Sequence, residues 1–462
     1  MGGRSLEITA VGAATLLLAA LSVFAGRLAG VALLGATIPL SASAAIILGW
    51  AGGATILCVI VAAAAVIARA LLESASRALG GASFQPGAAG MFLTAFVALA
   101  VVGGFALPRL FAGATEIYAM DRTIVGVTSG VMRFPLTPLA PHAGNVTQSV
   151  YLIISAALCL SAASLSHRDS RFPMVVLWAA TLSQMLFAMA DLANLGALEH
   201  FRTATYAIAP NQSFAGYTRL IGGATEPSFF GGVSVGLCAW HLWRHWLFGG
   251  AGHMLAGGAM AILAMASLSS TAVAVLCCVA ATYVPARLFR SRSIGAFASA
   301  FVAAAVGLAI ASWLALGPLA PRIGIAGEAL FWGKLASESG VERSAWAYQA
   351  LVNLSDTSGL GAGLGASRAN GWATAVLGQT GAPGAVLALG FLITAFACRL
   401  TPEGAALRAG ALALLAAAML SASRVDLGPL FFVMAGCAMS SAAAYRRRRR
   451  FSVRAAHALH PV

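Results

Sequence analysis

Residues 89–107 read AGMFLTAFVALAVVGGFAL, a run without any ionisable side chain. A helix of this length is about 28 Å long, close to the hydrocarbon thickness of a bilayer, about 30 Å. Inside lipid only helices and closed barrels satisfy all their backbone hydrogen bonds. This stretch therefore predicts a transmembrane helix.

Similar apolar runs recur along the chain and predict an all-α polytopic membrane protein. Of 462 residues, 60% are hydrophobic and 9% are charged, whereas soluble domains carry about 25% charged residues. A soluble enzyme and a disordered chain are both excluded. We predict twelve or thirteen spans, at residues 8–25, 28–50, 53–68, 89–107, 150–165, 173–195, 228–247, 253–268, 271–284, 294–316, 382–397, 405–420 and 428–444.

The basic end of the chain fixes the expected orientation. Five arginines, residues 446–450, follow the last apolar run, and such clusters stay in the cytoplasm. The net charge of +14 is therefore interpreted as topological rather than as nucleic-acid binding. We expect one transmembrane domain, 1–445, and a cytoplasmic tail, 446–462. Parity puts the N-terminus outside while Arg4 favours the inside, so one of the first three spans could be re-entrant or miscounted.

Counting back from this tail leaves three long polar segments on the outer side, at 108–147, 196–227 and 317–381. The third keeps apolar residues at helical spacing, so we expect short helices that cap the membrane. The seven cysteines lie within or at the end of apolar runs, without histidines at ligand spacing. No HExxH motif or acidic cluster is present, so neither a metal nor a cofactor is expected.

The outer segments hold the ionisable residues that could carry chemistry. In TRLIGGATEPSFFG, residues 218–231, Arg219 and Glu226 flank two glycines; Arg343 and Arg368 lie in the third segment. Guanidinium groups that converge on one cavity would suit a diphosphate. Each arginine could instead mark the interface or pair with an acid. Glu226 precedes Pro227, so it could cap a helix or act as a general base.

Three further features are weaker candidates, two in the outer segments and one, Asp191, within the predicted span 173–195. The turn GLGAGLGASRANG, residues 359–371, contains Gly363 and Gly365, which allow close backbone approach to a ligand or a helix. No GKS/T sequence follows, so it is not a phosphate loop. Tyr348 could stack on a sugar ring, and Asp191 could either pair across helices or take part in catalysis.

The order of these stretches resembles the O-antigen ligase and Wzy-type polysaccharide polymerase superfamily. An Arg–Gly–Gly–Glu–Pro–Ser stretch enters a helix, a long loop follows with Arg343 and a GxGxG turn, and GQTGAPG, residues 378–384, enters the next helix. The resemblance covers roughly residues 108–400. The stretch PLAPHAGNVTQSVY, residues 138–151, also resembles the external loop of exopolysaccharide polymerases in that group.

The resemblance implies a metal-independent, GT-C-like glycosyltransferase of the bacterial inner membrane, with its site facing the periplasm. Such an enzyme polymerises undecaprenyl-diphosphate-linked glycan onto a glycan acceptor, and chain-length regulators and export proteins are implied as partners. By the same resemblance Arg219 and Arg343 hold the diphosphate. Arg368, with Ser367, matches a basic residue after the glycine turn, and Glu226 matches the Glu–Pro–Ser pattern.

Two alternatives stay open. Ligases of the superfamily carry a histidine about ten residues before the second glycine turn, where this chain has Asn370 and Gly371, so polymerisation is favoured over ligation. A lipid-linked oligosaccharide transporter would also use an arginine-lined cavity. A carrier should distribute its cations through both leaflets, whereas the three candidate arginines are all expected outside.

Overall fold

The computed structural model describes residues 6–49, 54–78, 87–120, 126–128, 131–204, 213–214, 217–290 and 338–459. The predicted span 294–316 and the first part of the predicted segment 317–381 lie outside these residues. The described part is mainly helical. Its helices are α1 Ala10–Ala25, α2 Arg27–Thr37, α3 Cys58–Ala78, α4 Gly87–Leu110, α5 Ala143–Arg168, α6 Phe172–Leu192, α7 Pro227–Phe248, α8 Ala251–Ala266, α9 Ser270–Arg290, α10 Glu338–Asp356, α11 Trp372–Phe396, α12 Pro402–Ser421 and α13 Pro429–Leu459.

Within the described residues, six helices are long and apolar enough to cross a membrane: α3, α4, α5, α6, α11 and α12. Helices α1, α2, α8 and α9 contribute shorter apolar stretches. The chain is therefore a helical multi-pass membrane protein, as its composition predicts. Helix α13 starts within the predicted last span and continues through the arginine cluster to Leu459, so the predicted tail begins as helix.

The prediction of a single span over residues 28–50 is wrong. Helix α2 ends at Thr37, and a three-stranded antiparallel sheet follows, in the order β1 Leu6–Ile8, β2 Ala44–Leu48, β3 Ala54–Leu57. The turn between α2 and β2 is held by the predicted outer segment, because Ala42 N donates to Gly223 O at 3.1 Å. Isoleucines in β2 favour a strand, and composition alone does not distinguish this strand from helix. Helix α2 is thus too short to span, in line with the expectation that one of the first three spans is re-entrant or miscounted.

Three two-stranded ribbons complete the strands. They pair β4 Glu116–Tyr118 with β7 Leu136–Pro138, β5 Gly126–Thr128 with β6 Val131–Arg133, and β8 Ser213–Phe214 with β9 Tyr217–Thr218. All lie in the predicted outer segments 108–147 and 196–227. The all-α prediction therefore holds for the helical bundle, and the short ribbons lie in the connections between its helices.

Ionic pairs collect at the two ends of the bundle, which we name by the predicted topology. At the inner end Arg168 pairs with Glu73 at 3.3 Å, and Arg244 pairs with Glu403. At the outer end Arg202 pairs with Asp191 at 2.7 Å. The two residues of each pair lie in segments that the predicted topology places on the same side of the membrane. The packing therefore agrees with the predicted topology.

A directional hydrogen-bond chain at the inner end braces α6, α7 and α8. Arginine can only donate, so Arg244 Nε donates to His253 Nε2 at 3.0 Å. At the other end Thr181 Oγ1 donates to a carbonyl and therefore accepts from His241 Nε2 at 3.0 Å. The histidines meet at Nδ1, 2.9 Å apart, with His253 as the donor. Helix α7, whose outer end carries Glu226, is thereby fixed at its inner end.

Close helix packing depends on glycine at Gly436. In α13, a Cβ at this position would overlap the backbone carbonyl oxygen of Cys159 in α5. We expect Gly436→Ala to lower the free energy of unfolding by about 1–3 kcal/mol, since extra volume in a packed interface forces backbone shifts. Gly258→Ala is the control, because Gly258 is helical with open space around its Cβ position. Thermal midpoints in detergent check this; equal midpoints for both variants would contradict it.

Candidate functional site

Two segments that are far apart in sequence meet at the outer end of the bundle. Arg343 of α10 approaches Glu226 with 3.6 Å between Nη2 and Oε2. Arg219, in the loop before α7, is close enough for its charge to interact with both residues. Burial lowers the pKa of Arg219, the Glu226 carboxylate opposes this shift, and the positive charge of Arg343 adds to it. We call Arg219, Glu226 and Arg343 the outer triad.

Backbone oxygens hold the guanidinium of Arg219 in place. Its Nε donates to Ser267 O at 3.3 Å, and its Nη2 donates to Leu268 O at 3.2 Å. These carbonyls belong to the turn between α8 and α9. No carboxylate oxygen of the described residues lies within 4 Å of Arg219. The side chain is therefore oriented by neutral acceptors, and its charge is left available to an anion.

Glu226 occupies the N-cap position of α7 but does not cap it. No side-chain hydrogen bond from Glu226 reaches the backbone of the first turn. Instead, Oε1 accepts from Ser228 Oγ at 2.6 Å, while Oε2 faces Arg343. Helix initiation is explained by Pro227 at the first helical position. The carboxylate is thus engaged by side chains of the site rather than by the helix backbone.

Asp191 organises the loop that carries the triad. Its Oδ2 accepts from Ile221 N at 2.9 Å and from Gly222 N at 2.8 Å, and its Oδ1 accepts from Arg202 at 2.7 Å. Arg202 also donates to Gly222 O. Gly222 has φ +56°, a conformation that favours glycine. Asp191 therefore contacts the loop backbone rather than the triad.

We expect Asp191→Asn to destabilise the protein by roughly 3 kcal/mol, because it leaves Arg202 without its partner in a mostly buried site. Asp169→Asn is the matched control: Asp169 pairs with Arg171, whose side chain is 72% exposed, and such pairs contribute little. Thermal unfolding and limited proteolysis of the outer loops measure the difference. Equal loss in both variants would show that Asp191 does not hold the loop.

A cavity of about 160 Å³ opens beside Glu226. Its lining includes the ionisable residues Glu226, Arg424 and Asp426 and apolar residues such as Leu57 and Leu430. Ligand sites usually enclose about 300–1,000 Å³, so a large ligand would extend beyond this space. The cavity is amphipathic in the sense that ionisable and apolar side chains border the same space.

Sequence reasoning missed Arg424 and Asp426. Both lie in the short connection between α12 and α13. Asp426 accepts from Ser155 Oγ at 3.1 Å and from Gly428 N at 3.0 Å, and burial raises the pKa of its carboxyl. The signal was an Arg–Val–Asp sequence in a short connection on the predicted outer side, where basic residues are not needed for topology.

Arg368 lies near α10 but points to aromatic rings. Its guanidinium carbon is 3.8 Å from the ring centroid of Phe134 and 5.7 Å from that of Trp346. Trp346 follows Arg343 by one helical turn, so Arg368 is adjacent to the triad without belonging to it. Tyr348, on the same helix, is 69% exposed and does not line the cavity.

The glycine turn is packed inside the protein. A Cβ at Gly363 would lie 2.7 Å from Pro108 Cδ, and one at Gly365 would overlap Gly144 O. Gln379 accepts from Gly365 N at 2.8 Å and donates to Ser367 O at 2.7 Å. Ser367 is fully buried. The polar backbone of this turn is thus bound by the protein's own side chains.

Within the described residues, no three His, Cys, Asp or Glu side chains are grouped as metal ligands. All seven cysteines are free thiols. Neither a protein-family model nor a curated protein matches the chain. What the site can do therefore follows from its geometry: two guanidinium groups and a carboxylate lie beside an amphipathic cavity.

Proposed function

We propose that the chain is a glycosyltransferase that polymerises undecaprenyl-diphosphate-linked glycan at the periplasmic face of the bacterial inner membrane. The observation that carries the proposal is the convergence of Arg219 and Arg343 on Glu226, which itself lines an amphipathic cavity. A lipid diphosphate is itself amphipathic, and its charged end matches the arginines. The order of the sequence motifs is the second support.

The charges of the triad suit a diphosphate. Two guanidinium groups and one carboxylate leave a net positive charge, and guanidinium presents paired donors that match phosphate oxygens. A neutral solute would gain nothing from this arrangement. Because Glu226 is the carboxylate beside both arginines, an incoming diphosphate would share their charge with it.

In the proposed reaction, an acceptor hydroxyl oxygen attacks the anomeric carbon of the donor's reducing-end sugar. The bond from that carbon to the phosphate oxygen breaks, and the lipid diphosphate leaves with the electron pair. Arg219 and Arg343 stabilise the negative charge that develops on the leaving group. Glu226 takes the proton of the acceptor hydroxyl as general base.

The distribution of charge favours an enzyme over a carrier. Arg424, which lines the cavity, and Arg219 and Arg343, which lie beside Glu226, all come from connections or helices at the predicted outer end. At the inner end Arg168 pairs with Glu73 and Arg244 pairs with Glu403. A transporter would need a cationic path between these two groups.

The proposal is tested with purified full-length protein and a lipid-diphosphate-linked repeat unit, in EDTA and without ATP. We expect longer glycan chains and released lipid diphosphate, resolved by electrophoresis and thin-layer chromatography. Transfer to a lipid acceptor without elongation would support a ligase. Unchanged glycan that crosses vesicle membranes would contradict the enzyme and support a carrier.

A further inference from the structure

We infer that Arg424 is a third guanidinium of the proposed diphosphate site, presented from the wall of the cavity formed by the α12–α13 connection. The inference rests on the proposed function and adds a substrate-binding residue to it. It comes from the cavity, because Arg424 and Glu226 line the same space although nearly 200 residues separate them in sequence.

Arg424 is a half-buried cation that forms no ion pair with the described residues. No carboxylate oxygen of those residues lies within 4 Å of its guanidinium, and no side-chain hydrogen bond from them holds it. A cation beside apolar side chains is unfavourable unless something neutralises it. The same cavity is also lined by Leu57, Val59 and Leu430. An anionic group of a ligand would supply the missing charge.

Asp426, two residues further along, makes no direct ion pair with Arg424, since none of its oxygens lies within 4 Å of the guanidinium. Asp426 uses its two oxygens to accept from Ser155 Oγ and from Gly428 N. Burial raises the pKa of Asp426, while its hydrogen bond from Gly428 N and the charge of Arg424 oppose that rise. Asp426 therefore acts as a positioning residue that fixes the connection, while Arg424 is left to face the cavity.

A bound anion would lie between the elements that line the cavity. Glu226 and Ser228 come from the outer end of α7, and Arg424 comes from the connection that follows α12; α7 and α12 pack extensively along their length. Small residues, among them Gly232 and Ala417, line the space between them. A diphosphate there would contact Arg424 in the cavity lining, and Arg343 and Arg219 lie beside Glu226, which lines the same cavity.

Calorimetry tests the inference. It measures the binding of farnesyl diphosphate and of inorganic pyrophosphate to detergent-purified full-length protein. We expect Arg424→Gln to weaken farnesyl diphosphate binding at least ten-fold, the loss of one charge-assisted hydrogen-bonding group, and Arg424→Lys to weaken it less. Arg408→Gln is the matched control, since Arg408 donates to Phe396 O at the inner end; it should bind as the wild type does. Thermal unfolding midpoints identify any misfolded variant. If Arg424→Gln misfolds, the binding affinity of Arg424→Lys is compared with that of the wild type instead.

The outcomes separate the two proposals. If Arg343→Gln loses binding while Arg424→Gln and Arg424→Lys bind as the wild type does, the inference is wrong and the proposed function stands. If the wild type binds neither probe, both fail. If pyrophosphate binds as tightly as farnesyl diphosphate and Arg424→Gln weakens both, Arg424 is an anion-binding residue, but the lipid part of the proposed donor is contradicted.

Discussion

Arg343→Gln should lower the rate of glycan elongation at least about 100-fold, because removal of one preorganised donor to a developing negative charge typically costs a factor of 10²–10³. Arg343 lies 3.6 Å from Glu226 and is a quarter exposed, so the loss of its charge should leave the fold intact. Elongation is measured as chain length against time at saturating donor.

The control for this experiment is Arg399→Gln. Arg399 is exposed and lies between α11 and α12 at the inner end, so its replacement removes the same charge far from the site. We expect wild-type elongation. If Arg343→Gln elongates glycan at the wild-type rate, or if both variants lose activity equally, the outer triad is not the site of reaction.

Glu226→Gln should separate chemistry from binding. As the general base, Glu226 should contribute about 10²–10⁴-fold to kcat. Its loss removes the negative charge beside Arg219 and Arg343, so farnesyl diphosphate should bind as tightly as before or more tightly. We therefore expect a large fall in kcat without a rise in the Kd of the diphosphate.

Ser228→Ala provides the matched comparison for Glu226. The Ser228 hydroxyl donates to Glu226 Oε1 at 2.6 Å, so its removal loosens the carboxylate without removing it, and a smaller fall in kcat is expected. If Glu226→Gln keeps the wild-type kcat, the acceptor is activated by its position alone. If it instead weakens diphosphate binding strongly, Glu226 has a structural role.

The membrane helices were predictable because hydrophobic length is a local property. The run 89–107 corresponds to α4 Gly87–Leu110, and 173–195 corresponds closely to α6 Phe172–Leu192. In the run 28–50 the same apolar composition forms a helix, a turn and a strand. Its turn is fixed by the outer loop through Gly223 O, a contact that hydropathy does not encode.

The candidate site was predictable only in part. Arg219, Glu226 and Arg343 stood out because ionisable residues beside apolar runs are costly, and the fold brings them together. The orientation of Arg368 towards Phe134 depends on a residue that precedes it by more than 200 positions. Arg424 and Asp426 were missed because their connection is short, and its contact with the Glu226 end of α7 exists only in three dimensions.

In the proposed function, guanidinium groups at the outer end of the bundle hold a lipid diphosphate. A cryo-electron microscopy map of the full-length protein with farnesyl diphosphate would show where the diphosphate lies. We expect diphosphate density within hydrogen-bonding distance of Arg219 and Arg343, with the prenyl chain along the apolar side chains of the cavity. Ordered diphosphate density elsewhere, with the outer triad unchanged and empty, would contradict it.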